Sequence, residues 1–86
     1  MVITYAPRFL RQLKKLKPDL KAEAKEKISL FSENPHDPSL RVHKLHGNLS
    51  DCWAFSINHK YRIIFEYLSK NRFNFLAIDD HDIYKK

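Results

Sequence analysis

The chain opens on Val2-Ile3-Thr4-Tyr5, a β-branched and aromatic run that suits a strand, and Pro7 follows where a helix would have its first turn. Phe9, Leu10, Leu13 and Leu16 then recur at i, i+1, i+4 and i+7, one apolar stripe of a helix that Pro18 ends. A second helix is predicted over about residues 19–33. Leu20, Ala24, Ile28 and Phe31 share its apolar face, and Glu23 stands four residues before Lys27 on the solvated one. With so short a connection the two helices form an αα-hairpin. Asn34-Pro35-His36-Asp37-Pro38-Ser39 carries two prolines and several turn formers, so a surface loop begins there. Residues 40–50 hold the only glycine, Gly47, beside Asn48, where a positive φ is easiest to accommodate. Three β-like runs follow, at 52–57, 61–68 and 73–78, and the connections Asn58-His59-Lys60 and Ser69-Lys70-Asn71 are short enough for consecutive antiparallel hairpins. The predicted order is β-α-α-β-β-β, in the α+β class, with the helical pair covering one face of a small, mostly antiparallel sheet.

Eighty-six residues, 43% of them hydrophobic, have material for one core, so a single domain spanning 1–86 is expected and a two-domain enzyme is ruled out. Cys52 is the only cysteine and cannot form an internal disulfide, which fits a reducing compartment. No apolar run approaches the ~20 residues that span a bilayer, and the first ten residues lack the stretch of a signal peptide. The expectation is a soluble, cytoplasmic protein without a membrane partner. Sixteen Lys and Arg against ten Asp and Glu give a net +6, which points to a polyanion, nucleic acid first and an acidic protein second. Residues 1–27 hold eight cations and three acids, so almost all of that excess lies in the N-terminal third.

Several familiar sites are absent. One glycine cannot build a phosphate loop, and there is no cysteine pair at zinc spacing. His43-Lys44-Leu45-His46 is an HxxH pair without a third nearby ligand, which reads as surface histidines in a loop, and Cys52 beside Trp53 reads as a small buried residue. Arg62 is different, because Tyr61-Arg62-Ile63-Ile64-Phe65 embeds a permanent guanidinium in an apolar strand. Either it pairs with a carboxylate such as Glu66 or Asp80, or snorkels to water, or it serves as a phosphate clamp. A sheet that brought it near His43 and His81 would place two proton carriers around one cation. Tyr84 adds a phenol that could donate to phosphate or stack on a base, or else anchor the tail.

Three motifs carry a resemblance that covers essentially the whole chain. They are Lys44-Leu45-His46-Gly47-Asn48-Leu49-Ser50-Asp51-Cys52-Trp53-Ala54-Phe55-Ser56-Ile57, then Tyr61-Arg62-Ile63-Ile64-Phe65, then Ile78-Asp79-Asp80-His81-Asp82-Ile83-Tyr84. Together they resemble the RelE/ParE superfamily of toxins, nearest to its YoeB- and YafQ-like branch. The resemblance implies a metal-independent endoribonuclease, needing no cofactor, that cuts messenger RNA on the ribosome and is neutralised by a cognate antitoxin in a hetero-oligomer. It also implies Arg62 as the catalytic arginine, His43 in the general-base position, and His81 and Tyr84 as the general acid and a substrate-contacting aromatic. The base and acid labels could be exchanged. Two departures stand out: only Asp82 and Ile83 separate His81 from Tyr84, where the family has three residues, and Lys60 replaces an acidic residue. RNA contacts are expected from Arg8, Arg11, Lys14, Lys15 and Lys17 along the basic helix, and from Lys44, His46 and Lys60 nearer the site. The alternatives on the same fold are a ParE-like gyrase poison and an inactive relative that still binds RNA or antitoxin.

Overall fold

A computed structural model describes residues 1–47 and 51–80. Strand β1 (Val2–Tyr5) leads into helix α1 (Pro7–Lys15) and helix α2 (Pro18–Glu33); strands β2 (His43–Lys44), β3 (Trp53–Ser56), β4 (Tyr61–Ser69) and β5 (Arg72–Asp80) follow. Each helix has proline in its first turn, where a missing N–H costs nothing and φ is already helical. Lys14 and Lys15 close α1 against the negative end of its dipole, and Asp19 opens α2 at the positive end. Pro18 thus ends the first helical stripe and starts the second helix, one residue earlier than the apolar pattern suggests. Beyond α2, Asp37 accepts from the amide and the hydroxyl of Ser39 and caps a short 3-10 turn at Pro38–Leu40. Arg41 ends that turn in the left-handed region at φ 50°, and Gly47 takes φ 75° as its type allows.

The strands form one five-stranded sheet in the order β1-β5-β4-β3-β2. β1 runs parallel to β5, and every other pairing is antiparallel, so the α+β class and the mostly antiparallel sheet hold. The pattern missed β2, a two-residue strand lying where a loop is expected.

Alternation sorts the sheet into two faces. Ile3, Phe55, Ile63, Phe65, Phe73 and Phe75 face the helices and pack with Phe9, Ala24 and Phe31. Phe31 is the hub of this core, its ring centroid 4.6 Å from that of Phe55, 5.1 Å from Phe65 and Phe73, and 5.6 Å from Phe75. The first pair is stacked and the other three meet edge to face, and each such pair adds ~0.5–1.5 kcal/mol to the burial itself. On the opposite face Leu45, Ala54 and Ile64 make a smaller apolar cluster with Cys52 and Leu76. At one end of that second face Thr4 donates to Asn74, and Asn74 to Glu66, a polar ladder across three strands.

One side chain completes the sheet edge. The β1–β5 ladder stops at Tyr5 opposite Phe75, and the Ile78 amide farther along donates instead to Gln12 Oε1 at 2.7 Å. Helix α1 is thereby tied to β5 one residue before Asp79.

Candidate functional site

The β3–β4–β5 register sets Ser56, Arg62 and Asp79 side by side, and residues opposite one another in a sheet share a face. His43 pairs with Ala54, so it joins the same face one strand further out. His43 and Arg62 therefore stand two strands apart and two residues out of line along them, about 12 Å between backbones. Arg62 Nε donates to Asp79 Oδ2 at 2.9 Å, and the two side chains are only 14% and 9% exposed. Of the partners the sequence offered for Arg62, Glu66 accepts from Asn74 instead, and Asp80 lies 3.9 Å from Lys60. Asp79 supplies the carboxylate opposite the arginine.

His43 is held by its own neighbourhood. Its Nδ1 lies 2.8 Å from the Arg41 carbonyl oxygen, and a carbonyl only accepts, so Nδ1 carries the hydrogen. In the neutral ring the lone pair is then on Nε2, the tautomer of a general base. The left-handed backbone at Arg41 is what turns that carbonyl towards the ring, and such non-glycine strain costs of order 1–3 kcal/mol.

A cleft of about 480 Å³ opens beside His43, lined by Glu23, Lys27, Ser39, Arg41, His43, Ser56, Ile57, Asn58 and His59. Asn58 shapes its rim: the side-chain oxygen accepts from the amides of Lys60 and Tyr61, folding the β3–β4 turn, while its nitrogen donates to Glu23 Oε1 at 2.7 Å. Glu23 and Lys27 are thus half-buried against this turn, where the helical pattern alone assigns them to the solvated face.

The remaining expected residues are spread more widely. Arg8, Arg11, Lys14, Lys15 and Lys17 are exposed in and just after α1, in the helical layer behind the sheet. Lys44 pairs with Trp53 in register and so points to the face opposite His43. His46 is exposed beside Gly47, and Lys60 lies 5.6 Å above the Tyr61 ring. His81 and Tyr84 lie outside the described residues. Cys52 is half-buried, and burial, followed by Glu66 and Asp51, pushes its thiol above the ordinary value, which suits the reading of a packed residue. Among the described residues there is no group of three potential metal ligands, and no helix is long and apolar enough to cross a membrane. Sequence reasoning missed Asp79, Arg41 and the Glu23–Asn58 pair.

Neither a family model nor a curated protein matches the chain. Solved structures do. YafQ from E. coli superposes with a TM-score of 0.76 at 16% identity, covering 98% of this chain and 97% of its own. The YoeB/ParE toxin from Agrobacterium tumefaciens gives 0.75 at 12% identity over 94% and 99%. The RelBE2 toxin–antitoxin complex from Mycobacterium tuberculosis gives 0.72 at 20% identity over 93% and 96%. At these identities the likeness is one of architecture, and the architecture is that of the YoeB, YafQ and RelE toxins of the RelE/ParE superfamily.

Proposed function

We propose that this chain is the toxin of a type II toxin–antitoxin pair, an endoribonuclease that cuts messenger RNA on the ribosome in the cytoplasm. The observation that carries the reading is His43, in the base tautomer, on the sheet face that also bears Arg62. RNA brings its own nucleophile. His43 Nε2 takes the proton of a 2′-OH, the freed oxygen attacks the adjacent phosphorus, and the bond to the 5′-oxygen breaks. Arg62 stabilises the charge growing on the non-bridging oxygens, and His81 returns a proton to the leaving 5′-oxygen, so the product ends in a 2′,3′-cyclic phosphate. Each proton transfer is typically worth ~10²–10⁴-fold. The exposed cations of α1 dock the protein on ribosomal RNA, and an antitoxin silences it by covering the same sheet face.

The test is cleavage on programmed ribosomes, with product ends mapped. His43→Ala should lower the rate by at least about a hundredfold, and Arg62→Lys should lower it too, because an ammonium lacks the guanidinium fork. Full cleavage by either variant removes that residue from the mechanism. Double-strand DNA breaks without altered mRNA ends after induction would identify a gyrase poison instead. One observation favours a second reading, a chain that binds without cutting: Asp79 already opposes the charge of Arg62. Intact mRNA and no growth arrest on expression of the chain alone would select it.

A further inference from the structure

The cleft between α2, the 3-10 turn and the β3–β4 turn has no role in the chemistry above, although His43 belongs to both. The one carboxylate in its lining is committed, since Glu23 accepts from Asn58, and Asp37 nearby is held by Ser39. Its cations are not committed. Lys27 and Arg41 form no ion pair among the described residues, and His59 is exposed on the facing turn. A volume near 480 Å³ is within the range of small-ligand sites and accommodates one nucleotide.

We infer that this cleft binds the sugar–phosphate unit of single-stranded RNA flanking the scissile bond, with Lys27 and Arg41 on its phosphate and His59 at the mouth. The inference rests on the nuclease reading for its choice of RNA over other phosphate carriers. Continuity supports that choice, because Ser56, opposite Arg62 in register, and His43 both line the cleft, so a strand lying along them passes from one to the other. An acidic peptide would satisfy the same charges, but nothing would then tie the cleft to the histidine it shares with the sheet face.

Binding can be measured apart from cleavage with a fluorescent 2′-O-methyl RNA hexamer, which has no free 2′-OH and cannot be cut. Lys27→Gln and Arg41→Asn, the latter chosen because asparagine tolerates the left-handed backbone, should each weaken it about threefold to tenfold. Each should also flatten the plot of log K against log salt by about 0.7. Glu23→Gln keeps the bond to Asn58 and removes a negative charge, so it should tighten binding by about twofold or more. That opposite sign separates recognition from damage to the fold, and thermal melts of all three variants check it. Unchanged affinity in the two cation variants, or no binding by the wild type, overturns the cleft whatever the cleavage assay shows. Binding that depends on Lys27 and Arg41 in a protein that never cleaves keeps the cleft and discards the nuclease. If polyglutamate shows the dependence on Lys27 and Arg41 and the hexamer does not, the cleft is a peptide site and the inference falls.

Discussion

Asp79→Ala is the perturbation that separates the structural duty of Arg62 from its catalytic one. The guanidinium Nε and the Asp79 carboxylate meet at 2.9 Å with 14% and 9% of their side chains exposed, close to the buried limit. Removing one partner of a fully buried pair costs about 3–5 kcal/mol, whereas exposed pairs are worth about 0–1. Scaled to this burial, Asp79→Ala should destabilise by about 2–3 kcal/mol. Against the ~4–13 kcal/mol expected of an 86-residue domain that is a large share, and it corresponds to a melting point lower by roughly 8–24 °C. Asp79→Asn keeps an acceptor and loses only charge assistance, so about 1 kcal/mol should go. The double variant Arg62→Ala with Asp79→Ala should cost about 1–2 kcal/mol less than the sum of the singles, because both single changes remove the same Arg62–Asp79 bond. Urea unfolding followed by the fluorescence of Trp53, the only tryptophan, reads all four proteins. An Asp79→Ala midpoint within about 0.5 kcal/mol of wild type would refute the burial argument. Cleavage by Arg62 variants is then to be compared only where every variant is folded.

Other consequences follow from neighbouring parts of the fold. Phe31→Ala should cost about 3–5 kcal/mol in the same urea assay, since it empties the point where four rings meet, and a loss below about 1 kcal/mol would contradict that packing. Gln12→Ala removes the acceptor of a half-buried amide and should cost about 1–3 kcal/mol, with hydrogen exchange accelerated at Ile78 more than elsewhere in β5. The Asp37 carboxyl is lowered first by the Ser39 hydroxyl and next by the Ser39 amide, which outweigh an opposing effect of desolvation, while Lys27 adds a lesser lowering. Its capping is therefore complete above the ordinary aspartate range and is lost as pH falls through the lowered value. Ser39→Ala should move the Asp37 midpoint upward in a carboxyl NMR titration, and an unmoved midpoint would deny the bond.

Both helices, the two hairpins and the partition of the core were legible because they rest on local signals: prolines in first turns, apolar stripes and alternating strands. Arg62 stood out for the same reason, as a charge inside an apolar run. Its partner could have been counted. Ser69 faces Arg72 across the turn, and an even register carried back along both strands sets Arg62 opposite Asp79, the two irregularities in between cancelling. β2 was not legible, since two residues have no period and owe their strand geometry to β3. Nor was the cleft, assembled from a helix, a 3-10 turn, a strand edge and a hairpin turn that are scattered along the chain. The left-handed Arg41 has no sequence signal either, because glycine or asparagine is what usually marks such a backbone.

The parallel pairing of β1 with β5 has a consequence for how the chain is made. Among the described residues, Val2 to Tyr5 find their one strand neighbour at Arg72 to Phe75, and Thr4 bonds across to Asn74. Helix α1 is anchored later still, at Ile78. During synthesis the first strand and helix therefore wait, their apolar faces uncovered, until β5 has emerged. Contacts of such long sequence separation slow folding and make completion all-or-none. A chain whose β5 is still inside the ribosome has no closed sheet, so whatever the finished surface does begins only once that strand is out.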